Sequence, residues 1–306
     1  MSAIPGHADS EQFVRTSELL TRLRGWLPMI CLPASVVVLV PQNWPRWAFM
    51  WALAGSIYFG CKWLTWRRTR ADGIRWWRHA GYLIAWPGLD AVAFLTQSTT
   101  ARPTGREWCN AGLKSAMGLA LFFAGATFTS THNRYVLGWI GMVGTVLSLH
   151  FGLFHVLSCA WRHVGVNARP LMDHPLRSES VTEFWGRRWN TAFRDLTHRF
   201  LFRPLMPWLG ARGAIFGGFV FSGLVHDVVI SLPARGGYGG PTLYFACQAL
   251  AMLLERSALG RRFGLARGVS GRIFTTAVLL MPLYLLFHPP FVERIMVPFM
   301  RALGAA

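Results

Sequence analysis

The stretch Gly213-Ala-Ile-Phe-Gly-Gly-Phe-Val-Phe-Ser-Gly-Leu-Val-His226-Asp227-Val-Val-Ile-Ser-Leu232 carries only two titratable groups, and both sit in its second half. About twenty residues is the length an α-helix needs to cross some 30 Å of hydrocarbon. Runs of similar character lie at 26–41, 45–64, 113–131, 135–160, 241–255 and 272–290, with a weaker one at 79–96. A chain patterned this way takes lipid as its solvent and is expected to be all-α, because a helix satisfies its backbone hydrogen bonds internally.

Composition agrees with that reading. Of the 306 residues 53% are hydrophobic and only 14% charged, where a soluble domain carries about 25%. Fifteen tryptophans suit an interface in which the indole ring has one apolar and one wet side. The net charge of +18 is nearly all arginine, since Lys62 and Lys114 are the only lysines. The arginines fall between apolar runs and not along one soluble face, so anionic headgroups account for them better than nucleic acid does. Many arginines, few lysines and abundant alanine and glycine point to a GC-rich bacterial genome, and hence to an inner membrane. Five scattered cysteines (Cys31, Cys61, Cys109, Cys159 and Cys247) offer no disulfide framework and no metal spacing. No metal and no permanently bound cofactor is expected.

Three polar segments are strongly basic: 62–78, 162–212 and 256–272. The positive-inside bias puts all three in the cytoplasm. They share one side only if 79–96 does not cross. That run contains Trp86-Pro-Gly-Leu-Asp90, and broken backbone at membrane depth is tolerated where protein buries it. The expectation is therefore seven spans plus one re-entrant segment, within a range of seven to nine membrane helices. A cytoplasmic tail, 1–25, with Asp9, Glu11 and Glu18 and no removable signal, precedes a single membrane-embedded domain, 26–300.

Ser180-Val-Thr-Glu183 has the form of a capping box. From there Trp185, Trp189, Phe193, Leu196 and Phe200 recur at helical spacing, with Arg187, Arg194, Asp195 and His198 opposite and Asn190 at the border. This predicts one amphipathic helix lying in the cytoplasmic interface. Its arginines either neutralise headgroups or, through Arg187 and Arg188, hold a phosphate by the planar guanidinium fork; periodicity leaves both open.

A histidine inside a span is a functional candidate by default. Gly218, Ser222 and His226 are four apart and put a small-residue groove beside the imidazole. Asp227 lies about 100° around the helix from His226, so the two are not expected to pair. His150 and His155 are about 140° apart, poor geometry for sharing one metal, though His155 can line a cavity. The Gly-rich Arg235–Pro241 stretch lacks the spacing of a phosphate loop and reads as a turn.

The pair Phe184-Trp-Gly-Arg-Arg-Trp-Asn190 and Phe221-Ser-Gly-Leu-Val-His226 resembles the wax-synthase branch of the membrane-bound O-acyltransferases. Pro241-Thr-Leu-Tyr-Phe245 and Leu286-Phe-His-Pro-Pro290 extend the resemblance over 149–292. Asp227 stands where plant members usually have Glu. The resemblance implies transfer of an acyl group from acyl-CoA to the hydroxyl of a lipophilic alcohol. It also implies His226 as general base, and Asn190 in the active site as oxyanion donor or as orienter of the histidine. Arg187, Arg188, Trp185 and Trp189 become candidates for holding acyl-CoA, and Ser222, Asp227 and His155 for lining the substrate cavity. With no serine or cysteine in a nucleophile elbow, direct transfer is expected. Other acceptors (a sterol, a diacylglycerol, a secondary metabolite) remain open, as does a proton-coupled transporter using His226 and Asp227. The transporter reading calls for inverted repeats, and none is visible.

Overall fold

Most apolar runs become helices, and several of the breaks among the described residues fall at Pro or Gly, as at Pro41–Pro45, Trp86–Asp90 and Gly264. The computed structural model describes residues 25–69, 73–96, 100–124, 127 and 133–306; the expected tail 1–25, with Asp9, Glu11 and Glu18, lies outside them except for Gly25. Among the described residues there is no β-strand. The helices in order are α1 (Gly25–Leu39), α2 (Arg46–Arg67), α3 (Trp76–Ala85), α4 (Ala91–Leu95), α5 (Gly105–Ala124) and α6 (Arg134–His163). There follow α7 (181–188), α8 (Thr191–Ala234), α9 (Gly240–Glu255), α10 (Ala258–Arg262), α11 (Gly268–Leu286) and α12 (289–302).

Three of these, α6, α8 and α11, are long and apolar enough to cross a membrane. The surface is apolar to match: Ile30, Val38, Ile84, Trp208 and Met281 are 68 to 86% exposed, a cost that lipid removes and water does not.

The run 79–96 is not one helix. Helix α3 has ten residues and α4 five, about 15 Å and 8 Å of rise, neither enough to cross. Between them the chain runs non-helically through Trp86-Pro87-Gly88-Leu89-Asp90. Carbonyls in this segment and at the end of α3 find side-chain donors, one of them buried. Lys62 Nζ donates to Gly88 O at 2.5 Å, Tyr58 Oη to Trp86 O at 2.9 Å and Trp161 Nε1 to Ala85 O at 2.9 Å. Asp90 caps α4 by accepting from Ala93 N at 3.0 Å.

The expected amphipathic helix from 180 to 200 is broken. Ser180 Oγ does cap, accepting from Glu183 N at 2.9 Å. Glu183, however, reaches back to Glu179 N at 2.8 Å and not to Ser180 N, so only half of the capping box forms. The turn then widens over Phe184–Arg188. Trp189 is extended and Asn190 left-handed, with φ 42°. Asparagine tolerates that conformation where most residues resist it, so a periodic apolar stripe ran straight across a corner. A second corner, at Gly210 (φ 64°, ψ 175°), splits α8 into arms 191–209 and 211–234.

Two further boundaries moved. Helix α5 starts at Gly105, eight residues before the expected run, with Thr104 Oγ1 capping Glu107 N. Helix α12 has no counterpart in the span pattern, because Glu293, Arg294 and Arg301 interrupt its apolar residues. It packs Val292 and Met300 against Gly138 and Gly141 of α6, where an added Cβ would meet them at 2.4 and 2.1 Å.

Candidate active site

His226 closes the straight part of the second arm of α8, one residue before that helix widens over Asp227–Ser231. Its Nδ1 lies 2.7 Å from the carbonyl of Ser222, one turn back. A carbonyl only accepts, so the proton sits on Nδ1, and Nε2 presents a lone pair. The ring packs on Phe245 of α9, with centroids 4.5 Å apart. That close approach of α8 and α9 is made at Gly223, where an added Cβ would stand 2.6 Å from Thr242 Cα. The expected small-residue groove at Gly218 is covered instead by Thr197 and Leu201 of the helix's own first arm, at ordinary contact distance.

Asp227 turns away from the imidazole. Its carboxylate accepts from Gly239 N at 2.9 Å, Thr242 N at 3.1 Å, Thr242 Oγ1, and Ser231 Oγ at 2.8 Å. It therefore fastens the start of α9, the helix that carries Phe245. Ser231 Oγ is also 3.2 Å from His288 Nε2, tying in the turn that opens α12.

Asn190 lies at the corner between α7 and α8. Its backbone N–H points at Met172 Sδ, 3.2 Å away, and no side-chain hydrogen bond joins it to His226 among the described residues. The two are linked by a train of rings. Trp189 stacks on Phe184 (5.4 Å, 14°), and Phe184 meets Trp185 at 5.1 Å. Trp185 meets Phe245 at 5.6 Å, and Phe245 touches His226. Trp185 is pinned by Nε1 donating to Gln248 Oε1 at 3.3 Å. Both tryptophans are thus half-buried in the protein and not dipped freely into lipid.

A cavity of about 1240 Å³ lies to the other side of this train. Six basic residues (Arg106, Lys114, Arg169, Arg177, Arg187 and Arg194) and four acidic ones (Asp90, Glu107, Asp173 and Asp195) are on its wall, with the non-helical Gly88 and Leu89, Phe151 and His155. Phe151 touches Trp189 at 5.9 Å, which joins the cavity wall to the ring train. Of the sequence-chosen residues, Arg187 and His155 line the cavity; His226, Asn190, Arg188, Trp185, Trp189, Ser222 and Asp227 do not. The neighbouring arginines divide in role. Arg188 pairs with Glu183 at 2.6 Å and donates to Asp173 O at 3.2 Å. The N–H of Glu179 and this guanidinium together hold the Glu183 carboxyl below the usual carboxylate range. Arg187 is exposed to the cavity.

His155 Nε2 is 3.1 Å from Glu107 Oε1, which also pairs with Arg162. Glu107, His155 and Cys159 offer ligand atoms within 4.8 Å of one another. The Arg162 guanidinium already supplies their positive charge, lying 3.6 Å from Cys159 Sγ, so the set reads as a structural ion cluster. Glu107, Arg162, Gln248, Phe245 and Glu255 were not singled out from the sequence. Phe245 and Gln248 look there like ordinary members of an apolar run, and Glu107, Arg162 and Glu255 like charges near the margin of one.

Comparison with known proteins falls on this part of the chain. Residues 168–247 match the Membrane bound O-acyl transferase family, a stretch that holds both Asn190 and His226. The long-chain-alcohol O-fatty-acyltransferase of Simmondsia chinensis is 30% identical over 123 residues, 36% of this chain and 35% of that protein. The acyl-CoA–sterol O-acyltransferase 1 of Arabidopsis thaliana is 26% identical over 135 residues, 40% of this chain and 38% of that one. A probable long-chain-alcohol O-fatty-acyltransferase 2 from the same plant is 29% identical over 137 residues, again about two fifths of each chain (41% and 40%). Over this stretch the chain is similar to the membrane-bound O-acyltransferases and, among them, to long-chain-alcohol O-fatty-acyltransferases. The matched region spans little more than a third of the length of the curated relatives.

Proposed function

We propose that the protein is an acyl-CoA-dependent O-acyltransferase that esterifies a lipophilic alcohol, with His226 as general base. The observation that carries this reading is the Nδ1 contact to Ser222 O, which leaves Nε2 as a base inside a family-matched helix. A hydroxyl attacks a thioester only as it loses its proton, and a positioned neutral imidazole takes that proton. The alkoxide oxygen joins the acyl carbon, an oxyanion forms and collapses, and CoA leaves as the thiol after reprotonation. An amide donor such as Asn190 suits the oxyanion. The phosphates of acyl-CoA go to the basic cavity, with Arg187 as their contact and Arg188 holding the corner beneath it. No covalent acyl-enzyme is needed.

The topology proposed with it keeps the three basic segments in the cytoplasm and makes Trp86–Asp90 the turn of a re-entrant segment. The two short helices on either side of that turn, and the buried Lys62 donating to Gly88 O, support this arrangement. The named activities of the relatives include both a long-chain alcohol and a sterol as acceptor. The long-chain alcohol is the first acceptor to test.

Membranes bearing His226→Ala are expected to lose at least about 100-fold in ester formation, the usual worth of a general base, at unchanged protein level. Labelled acyl-CoA with a panel of alcohols and sterols, read by mass spectrometry of the products, is the measurement. Activity within a few-fold of wild type would remove His226 from the chemistry.

A further inference from the structure

Helix α9 carries two buried polar residues, Gln248 and Glu255, which are 0 and 2% exposed. They are seven residues apart, so they lie on one helix face. Both point at the segment that ends in Asn190. Gln248 Oε1 accepts from Trp185 Nε1 at 3.3 Å, and its amide donates to Val278 O at 2.9 Å. Glu255 does more. Its Oε2 accepts from Val181 N at 2.8 Å, and its Oε1 from Thr182 N at 2.9 Å and from Thr182 Oγ1. These are the first amides of α7, which a helix leaves without internal partners. Arg256 Nε donates to Thr182 Oγ1 at 3.2 Å.

At the opposite end of the same helix, Asp227 fastens Gly239 and Thr242, and between the two ends Phe245 lies against His226. Helix α9 is therefore clamped by a carboxylate at each end. One clamp reaches the helix of His226 and the other the start of α7, the helix that leads to the corner at Asn190. We propose that Glu255 is a positioning residue for acyl transfer, holding α7 so that the Asn190 corner keeps its place relative to His226. This rests on the assignment of Asn190 and His226 to the site. Glu255 does not touch the reacting atoms. It acts through the amides of Val181 and Thr182, one helix and one corner away from Asn190.

The test compares kcat and KM for acyl-CoA in membranes containing equal amounts of wild type, Glu255→Gln, Thr182→Val, Thr182→Ser, the Glu255→Gln/Thr182→Val double variant and Asn190→Ala. Glu255→Gln keeps the shape and removes the second charged acceptor. It is expected to lower kcat about 10- to 100-fold, the scale of a misplaced catalytic group, with KM for acyl-CoA within about twofold. Thr182→Val loses less in the same direction, Thr182→Ser restores most of that loss, and the double variant is no worse than Glu255→Gln alone, because both remove one contact. A Glu255→Gln kcat within twofold of wild type overturns the proposal. So does a double variant whose loss is the product of the two single losses. If Glu255→Gln does not accumulate, the Thr182→Val and Thr182→Ser pair decides by the same criterion. Asn190→Ala tests the underlying reading separately: normal turnover there removes Asn190 from the site, whereas its loss beside a normal Glu255→Gln sinks only the positioning role.

Discussion

His226 and Asp227 adjoin in sequence and do opposite work. The histidine gives its Nδ1 proton to its own helix and leaves Nε2 as the proposed base, while the aspartate collects three donors at the head of α9 and a fourth from Ser231 of its own helix. Replacing Asp227 by Asn leaves the shape and removes the charge that these donors converge on. Each lost charge-assisted bond is worth roughly 1.5–3 kcal/mol, so Asp227→Asn should lower the thermal stability of the detergent-solubilised protein. His226→Ala should leave that stability nearly unchanged and remove activity. The reverse pattern would exchange the two roles. Arg187→Ala is expected to raise KM for acyl-CoA several-fold with little change in kcat, the signature of uniform binding. Steady-state kinetics with varied acyl-CoA checks it, and an unaltered KM would move the phosphates elsewhere along the cavity wall.

Among the elements, the close contact between α8 and α9 and the break between α3 and α4 matter most. Gly223 has Thr242 Cα 2.6 Å from where its Cβ would be. Gly223→Val must push the helices apart, an overpacking cost of about 1–3 kcal/mol, and it carries Phe245 away from His226. Activity should fall together with melting temperature, unlike in His226→Ala. Lys62 belongs to the other element. It is fully buried on α2, donates to Gly88 O and lies 3.5 Å over the ring of Tyr82. Lys62→Met keeps the length and deletes the donor, stranding a buried carbonyl at about 1–3 kcal/mol. Proteolysis of intact vesicles should then cut near Trp86–Asp90, where the wild type resists.

At the scale of the whole molecule the question is which side of the bilayer each basic segment faces. With Trp86–Asp90 turning back, cysteines placed at Arg75 and Arg102, on either side of that segment, are on the same side, and an impermeant thiol reagent labels both or neither in sealed vesicles. Labelling of one alone would make the chain cross between them and dispose of the re-entrant arrangement. The cavity draws its wall from the Trp86–Asp90 turn, α4, α5, α6, the loop between α6 and α7, Arg187 of α7, and α8, so the placing of that turn also sets one side of the proposed acyl-CoA site.

The sequence by itself determined that the chain is helical and lives in lipid. It also singled out His226, Asn190 and Arg187, because hydrophobic run length, charge placement and short motifs are local properties. It could not see the corner at Asn190. A 3.6-residue period continues on paper through a residue whose backbone turns left-handed, and only packing of Trp189 on Phe184 and Phe151 makes that turn the stable one. Nor could it assign Glu255, Gln248, Lys62 or the Glu107–Arg162 cluster, whose partners lie 26 to 74 residues away in the chain. Helical spacing already set Asp227 apart from the imidazole; only the tertiary structure decided that this carboxylate braces the start of α9. The choice depends on which unpaired amides the fold brings within 3 Å, and no spacing in the sequence encodes that.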